Sequence, residues 1–357
     1  MSENDTIILV TSDIHLGSLD CEIDFFIQFL KEINTGKFGK DLQAFIILGD
    51  FIDLCMDVPK TLLKREKIQE IFTLLLNIKK WTNLIIVLGN HEIPVIGDYD
   101  EKFKRRKIKF LKKFENSNFS ELFDNELYCQ YLLLKKWNNE YALLLYDTRE
   151  QIESNPTRII KIKGFDLESD YCCFMTHGYQ FDNDMYRFFV GQIWKSLISN
   201  SKFALKETYD YFWNKVIKEG RKIKSITFNQ MKQELVVLKN KSIKEIDNSF
   251  QGLSYVEFNI IKLNMRIMKR WERASNPNSY FDEIKEFLEE EDYDFPKITH
   301  IIYGHTHHSG ISYGNINNLE VEILNDGSWQ HVQPTYVEIN NKGIFNLKGF
   351  PNDTKSS

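Results

Sequence analysis

The feature that most constrains this chain is a buried strand that stops abruptly at residues able to bind a cation, and it occurs five times. Residues 84–88 (Leu-Ile-Ile-Val-Leu) form an apolar run of strand length, broken by Gly89 and followed at once by Asn90, His91 and Glu92. In the same way 7–12 runs into Asp13-Ile14-His15, and 45–48 runs into Gly49-Asp50. Residues 172–176 run into His177-Gly178, and 301–303 into Gly304-His305-Thr306-His307. One such stretch says little; five in series fix where a site must form.

The segments between these strands set the fold class. Residues 6–92 alternate strand (6–12, 44–49, 84–88) with amphipathic helix (22–33 and 61–79), and Phe25, Phe26, Phe29 and Leu30 fall at helical spacing. Apolar strands separated by helices predict a parallel sheet buried on both faces, with its site beyond the carboxyl ends of the strands. Asp13, Asp50 and Asn90 all fall there. Segments 128–134, 141–146, 158–163 and 171–176 predict a second, mixed sheet, and 319–324, 335–339 and 343–347 read as antiparallel strands.

Between two of the ligand-bearing strands the pattern changes. Residues 182–295 are mostly helical in periodicity, with Phe188, Phe189, Trp194, Tyr209, Tyr211, Phe212 and Trp213 on apolar stripes, read as packing core rather than a substrate groove. The expected organisation is therefore a core of 1–181 with 296–351, an inserted helical cap at 182–295, and a disordered tail at 352–357. With 357 residues, 42% of them hydrophobic, the chain is long enough for a large domain plus such an insertion.

Composition narrows the function classes. A net charge of −5 gives no global basic field for nucleic acid. Locally, 98–115 interleaves Lys102, Lys104, Arg105, Arg106, Lys107, Lys109, Lys112 and Lys113 with apolar residues: a solvated amphipathic helix or, on the sharper reading, a surface for an anionic substrate or membrane face. The five cysteines are odd in number and form no Cys-x-x-Cys, which points to a reduced, cytoplasmic protein. The acidic start, Met1 to Asp5, is no signal peptide, and no run of about 18 apolar residues occurs, so no spanning segment is expected.

The chemistry of the strand ends is that of a two-metal site. Asp13 and His15 lie two apart, as do His305 and His307, so each pair can address one ion. Asp50 offers a carboxylate able to bridge two ions, Asn90 a neutral oxygen, and His177 a further imidazole. Mixed oxygen and nitrogen donors without thiolate favour manganese first, then iron or zinc. Two such ions roughly 3.5–4 Å apart polarise a phosphoryl oxygen and turn a bridging water into hydroxide near neutral pH. Phosphoryl transfer asks mainly for charge neutralisation and positioning. His91 is placed to protonate the leaving oxygen and Glu92 to orient that imidazole. Asp53 either orients a ligand from behind or caps the following segment. His300, His308 and His331 are read as structural.

The ordered blocks Asp13-x-His15, Gly49-Asp50, Gly89-Asn90-His91-Glu92, His177-Gly178 and Gly304-His305-x-His307 resemble the calcineurin-like metallophosphoesterase superfamily. The resemblance implies a two-sheet sandwich flanked by helices. It also implies Asp13, His15, Asp50 and His307 on one metal, and Asp50, Asn90, His177 and His305 on the other. The stretches Ser12 to Gly17, Gly49 to Asp53, His177 to Asp182 and Asn325 to Trp329 are similar to the branch containing UDP-2,3-diacylglucosamine pyrophosphatase-like enzymes, although that enzyme's family carries arginine where this chain has His91. Protein phosphatases share Gly-Asn-His-Glu but not the Leu54-Cys55 that follows Asp53.

The expectation is therefore a binuclear phosphoesterase acting on a phosphodiester or pyrophosphate of a small molecule, nucleotide or lipid head group, by direct attack of a metal-bridging hydroxide. The alternatives are a phosphomonoesterase or protein phosphatase, a nuclease of the same superfamily, or a scaffold without chemistry. Peripheral membrane contact is compatible with the basic stretch.

Overall fold

A computed structural model describes residues 6–18, 21–39, 41–53, 62–89, 117–147, 150–152, 155–165, 171–178, 281–289, 297–330 and 333–351. Two mixed sheets carry the architecture. The first contains β1 (Thr6–Thr11), β2 (Ala44–Leu48), β3 (Asn83–Val87), β4 (Tyr128–Cys129), β12 (Thr335–Asn340) and β13 (Phe345–Gly349), in the order β13-β12-β1-β2-β3-β4. The second contains β5 (Tyr131–Trp137), β6 (Glu140–Tyr146), β7 (Arg158–Lys161), β8 (Cys172–Thr176), β9 (His300–Tyr303), β10 (Gly310–Ile316) and β11 (Leu319–Asn325), in the order β10-β11-β9-β8-β5-β6-β7. β1, β2 and β3 run parallel to one another, as do β8 and β9. Five strand ends can therefore point the same way within their sheets.

The pleat divides the core in two. Ile8, Val10, Ile46, Leu48, Ile85 and Val87 turn inward to meet Leu132, Leu134, Leu143, Cys173, Met175, Ile302 and Leu324 of the second sheet. Leu9, Phe45, Ile47, Leu84 and Ile86 turn outward onto α1 (Ile23–Asn34) and α2 (Glu66–Lys79). α1 buries Phe26, Ile27, Phe29, Leu30 and Ile33, an apolar stripe at helical spacing, and carries Asp24 in its first turn and Lys31 in its last, as the helix dipole favours. Asn34 Nδ2 donates to Leu30 O (2.9 Å) and to Leu74 O (3.2 Å), tying the end of α1 to α2.

Three local outcomes differ from the sequence expectations. Arg65 is extended (φ −81°, ψ 120°), so α2 starts at Glu66 rather than at 61. β11 is antiparallel only to β10 and runs parallel to β9. β10 had no counterpart in the sequence reading: its alternation is diluted by Gly310 and Gly314 and by exposed Ile311 and Tyr313. Its hairpin signal is Asn317-Asn318, both at positive φ (49° and 62°). α3 (Phe281–Leu288) reaches this strand, since a Cβ on Gly314 would meet the Phe281 ring.

By internal contacts the chain divides into two units, Met1–Gln180 with Ala274–Ser357, and Phe181–Arg273. The second unit lies outside the described residues, as do the basic stretch 98–115 and the tail 352–357. No helix among the described residues is long and apolar enough to cross a membrane.

Candidate metal centre

Six of the seven residues read as ligands are described, and they form two groups: Asp13, His15 and His307, and Asp50, His177 and His305. Within each group one donor atom per residue lies within 4.8 Å of the others. Asn90, and with it His91 and Glu92, lies outside the described residues.

Each ligand is delivered by a strand that ends just before it. β1 ends at Thr11, β2 at Leu48, β8 at Thr176 and β9 at Tyr303. Nine non-glycine residues among those described have positive φ; four are the hairpin asparagines Asn138, Asn139, Asn317 and Asn318. The other five are Asp13 (51°), His15 (53°), Asp50 (47°), His305 (69°) and His307 (61°). Left-handed backbone at such residues costs about 1–3 kcal/mol each and persists only where surrounding bonds enforce it. Here Asp13 N donates to Gly49 O (3.0 Å), His15 N to Asp50 O (2.8 Å) and Trp329 N to Asp13 O (3.1 Å). Asp13 and His15 thus reach one group through tight left-handed turns, not through the strand alternation that the sequence suggested, and His305 and His307, which the same spacing would put on one ion, fall in different groups.

The donor spacing fits cations. His15 Nε2 lies 3.6 Å from Asp13 Oδ1, and His307 Nε2 lies 3.2 Å from that same oxygen. His15 Nε2 and His307 Nε2 are 3.2 Å apart. Atoms that each ligate one ion at about 2.1 Å stand roughly 3.0–3.4 Å from one another, so these separations suit a shared ion. Asp13 Oδ1 is buried and accepts no hydrogen bond, as a donor atom reserved for a cation would. Asp50 Oδ2 sits 3.5 Å from His15 Nε2 and 3.3 Å from His177 Nε2. One carboxylate oxygen therefore faces both groups.

Neighbours orient the imidazoles. His177 Nδ1 donates to Leu48 O (2.8 Å), which leaves Nε2 as the nitrogen turned toward Asp50. On the far side of His15, Nδ1 faces buried Asp53 Oδ2 at 3.8 Å, so Asp53 backs this imidazole; the segment it was expected to cap, 54–61, lies outside the described residues. Electrostatics follow from burial against mutual charge. Burial opposes protonation of His177, but the carboxylates of Asp50 and Asp13 outweigh it and lift the imidazole to about 9. His15 is likewise raised, against burial, by the facing carboxylates of Asp13, Asp53 and Asp50. Burial works against ionisation of Asp13 too, yet the neighbouring imidazoles, His177 first, hold it well below the carboxylate range. For His307 burial prevails and favours the neutral, ligating form. A pocket that is anionic and enclosed in this way is one that divalent cations would stabilise.

Close approach explains two glycines. A Cβ on Gly49, whose φ is +91°, would strike the His177 ring, and one on Gly304 would strike Ser12 Oγ and Asp13 Oδ2. Sequence reasoning missed the residues behind the ligands: Ser12, Thr306, Asn325 and Asp326, all at most 5% exposed. Burial pushes the Asp326 carboxyl well above its ordinary range. The signal for Asn325 and Asp326 is the polar run Asn325-Asp326-Gly327-Ser328 directly after an apolar strand, and that run is buried. His300 belongs elsewhere, at the start of β9, packed on Tyr171 (4.8 Å between ring centroids) and Phe345 (4.5 Å).

Comparison with known proteins agrees with this chemistry. Residues 6–174 match the family described as calcineurin-like phosphoesterase. His177, His305 and His307 lie beyond that span, and the fold brings them to its strand ends. No curated protein matches the chain. Among solved structures, a dimetal phosphatase from Danio rerio aligns over 97% of this chain and 96% of its own length, at 9% identity and a TM-score of 0.35, too low to carry an argument. Residues 6–174 are thus similar to the calcineurin-like phosphoesterase family, and the ligand groups at the strand ends have the donor chemistry of a metal-dependent phosphoesterase.

Proposed function

We propose that the chain hydrolyses a phosphodiester or pyrophosphate bond in a phosphorylated small molecule, nucleotide or lipid head group, using two divalent cations, manganese first among them. Asp13, His15, Asp50 and His307 hold one cation, and Asp50, Asn90, His177 and His305 the other. The observation that carries this reading is Asp50 Oδ2, placed 3.5 Å from an imidazole of one group and 3.3 Å from an imidazole of the other. When bound, the cations supply charge neutralisation at phosphorus and an activated water. The chain's own part is positioning: left-handed turns aim the donors, Leu48 O and Asp53 fix the imidazole orientations, and His91, oriented by Glu92, gives a proton to the leaving oxygen. A reducing, cytoplasmic setting is consistent with the free cysteines Cys21, Cys129, Cys172 and Cys173.

The test is a hydrolysis panel on metal-stripped chain reloaded with manganese, iron or zinc. Bis-p-nitrophenyl phosphate should turn over faster than p-nitrophenyl phosphate, and Asp50→Asn should abolish both. A preference for the monoester would replace the diester reading with that of a phosphomonoesterase.

A further inference from the structure

The two sheets must meet within a fraction of an ångström for the donors to converge, and a buried polar segment between them does this work. Asn325 Nδ2 donates to Gly304 O (3.2 Å) and to Thr306 Oγ1 (2.6 Å), gripping both sides of His305. Its own Oδ1 accepts from Gly327 N (3.1 Å), closing the turn. Asp326 N donates to Tyr303 O (3.1 Å), the last residue of β9. At the other sheet, Trp329 N donates to Asp13 O (3.1 Å) and Trp329 Nε1 to Thr11 Oγ1 (2.7 Å). Segment 325–329 is thus bonded to the ends of β1 and β9 at once.

Ser12 connects this segment to a ligand. Its Oγ lies 2.5 Å from Asp13 Oδ2 and 2.6 Å from Asp326 Oδ1. Asp13 Oδ2 also accepts from His305 N (2.8 Å). That oxygen is therefore fully engaged, while Asp13 Oδ1 accepts no hydrogen bond and faces His15 and His307. Which of two chemically equivalent oxygens is presented is decided from behind.

We infer that segment 325–329 is a brace across the two sheets, and that Asp326 is a positioning residue which, through Ser12, commits Asp13 Oδ2 to the protein and presents Oδ1 to a cation. The inference rests on the metal-centre reading above. It gives the Ser12–Asp326 contact a selective effect. The Asp13, His15 and His307 group depends on that contact directly, whereas Asp50 and His177 are oriented by other contacts, notably Leu48 O, and the flanks of His305 are held by Asn325.

The experiment is a calorimetric manganese titration of the metal-free full chain, with thermal unfolding measured alongside. Wild type should bind two ions. Ser12→Ala and Asp326→Ala should each weaken one of the two sites about 10–100-fold, the usual scale for an outer-shell partner, and leave the other within about twofold. Asp326→Asn, which keeps shape and hydrogen-bonding capacity toward Ser12, should restore most of the lost affinity. Where Asp326→Ala does not fold, Ser12→Ala gives the reading. Wild-type affinity at both sites in Ser12→Ala, or equal weakening of both, overturns the brace while leaving the metal centre standing. A wild-type chain that binds no cation overturns the metal centre, and the brace with it.

Discussion

Gly49 and Gly36 both adopt positive φ, 91° and 74°, but only a Cβ on Gly49 meets another residue, the His177 ring. Gly36→Ala should therefore cost only the left-handed penalty of about 1 kcal/mol. Gly49→Ala adds a collision with a proposed ligand and should cost about 3 kcal/mol and at least about tenfold in manganese affinity. Denaturant unfolding and metal titration of the two variants check this, and equal losses would count against it. His300 gives a prediction in pH. Burial lowers its pKa from 6.5 to about 4, so the folded chain holds it neutral beside Glu322 Oε2 at 3.5 Å, whose carboxyl is itself raised by burial. Below pH 6.5 the unfolded chain takes up the proton first. The stability from a neutral His300 is complete above that pH and is lost as pH falls toward about 4, amounting to about 3 kcal/mol. His300→Gln should lose correspondingly less stability than wild type between neutral pH and pH 4, measured by urea midpoints.

The helices show which interactions carry weight. α1 lies on the first sheet through Phe29, which contacts Phe45 (6.1 Å between ring centroids), Trp329 (5.2 Å) and Tyr336 (4.9 Å) and is fully buried. Phe29→Ala removes that packing and should cost about 3–5 kcal/mol. The ion pair from Lys31 on α1 to Glu70 on α2 is short, 2.7 Å, but its side chains are 56% and 42% exposed. Lys31→Ala should cost under about 1 kcal/mol. Denaturant unfolding of both variants decides: comparable losses would mean that charge, not packing, holds α1. The same contrast accounts for what could be read at this scale. Strong apolar periodicity in 22–33 and 61–79 marked both helices, whereas β10, thinned by glycines, gave no such signal.

At the scale of the molecule, the site gathers two carboxylates and four imidazoles from both sheets, with Asp13, His15, Asp50 and His177 buried and His305 and His307 half-buried. Removing divalent cations should lower global stability, because binding free energy available only to the folded chain is then lost. With cation at about 100 times its dissociation constant, the bound state gains about 2.7 kcal/mol, so chelation should shift the denaturation curve by that order and manganese should restore it. Superimposable curves with and without chelator would contradict the metal centre. The candidate ligands were legible in the sequence because a donor stands beside a glycine or serine at the end of each apolar run, with His15 and His307 each two residues after such a donor, a pattern set by residue type and spacing alone. The left-handed turns at Asp13, His15, Asp50, His305 and His307, the sharing of Asp50 Oδ2, and the brace of Asn325 and Asp326 were not legible. Each depends on bonds between residues far apart in the chain, such as Ser12 to Asp326, and such bonds exist only after two sheets have packed face to face. The sequence by itself determined which side chains can serve as ligands; tertiary structure decided which oxygen of each carboxylate faces the site, because orientation is fixed by neighbours that no local pattern encodes.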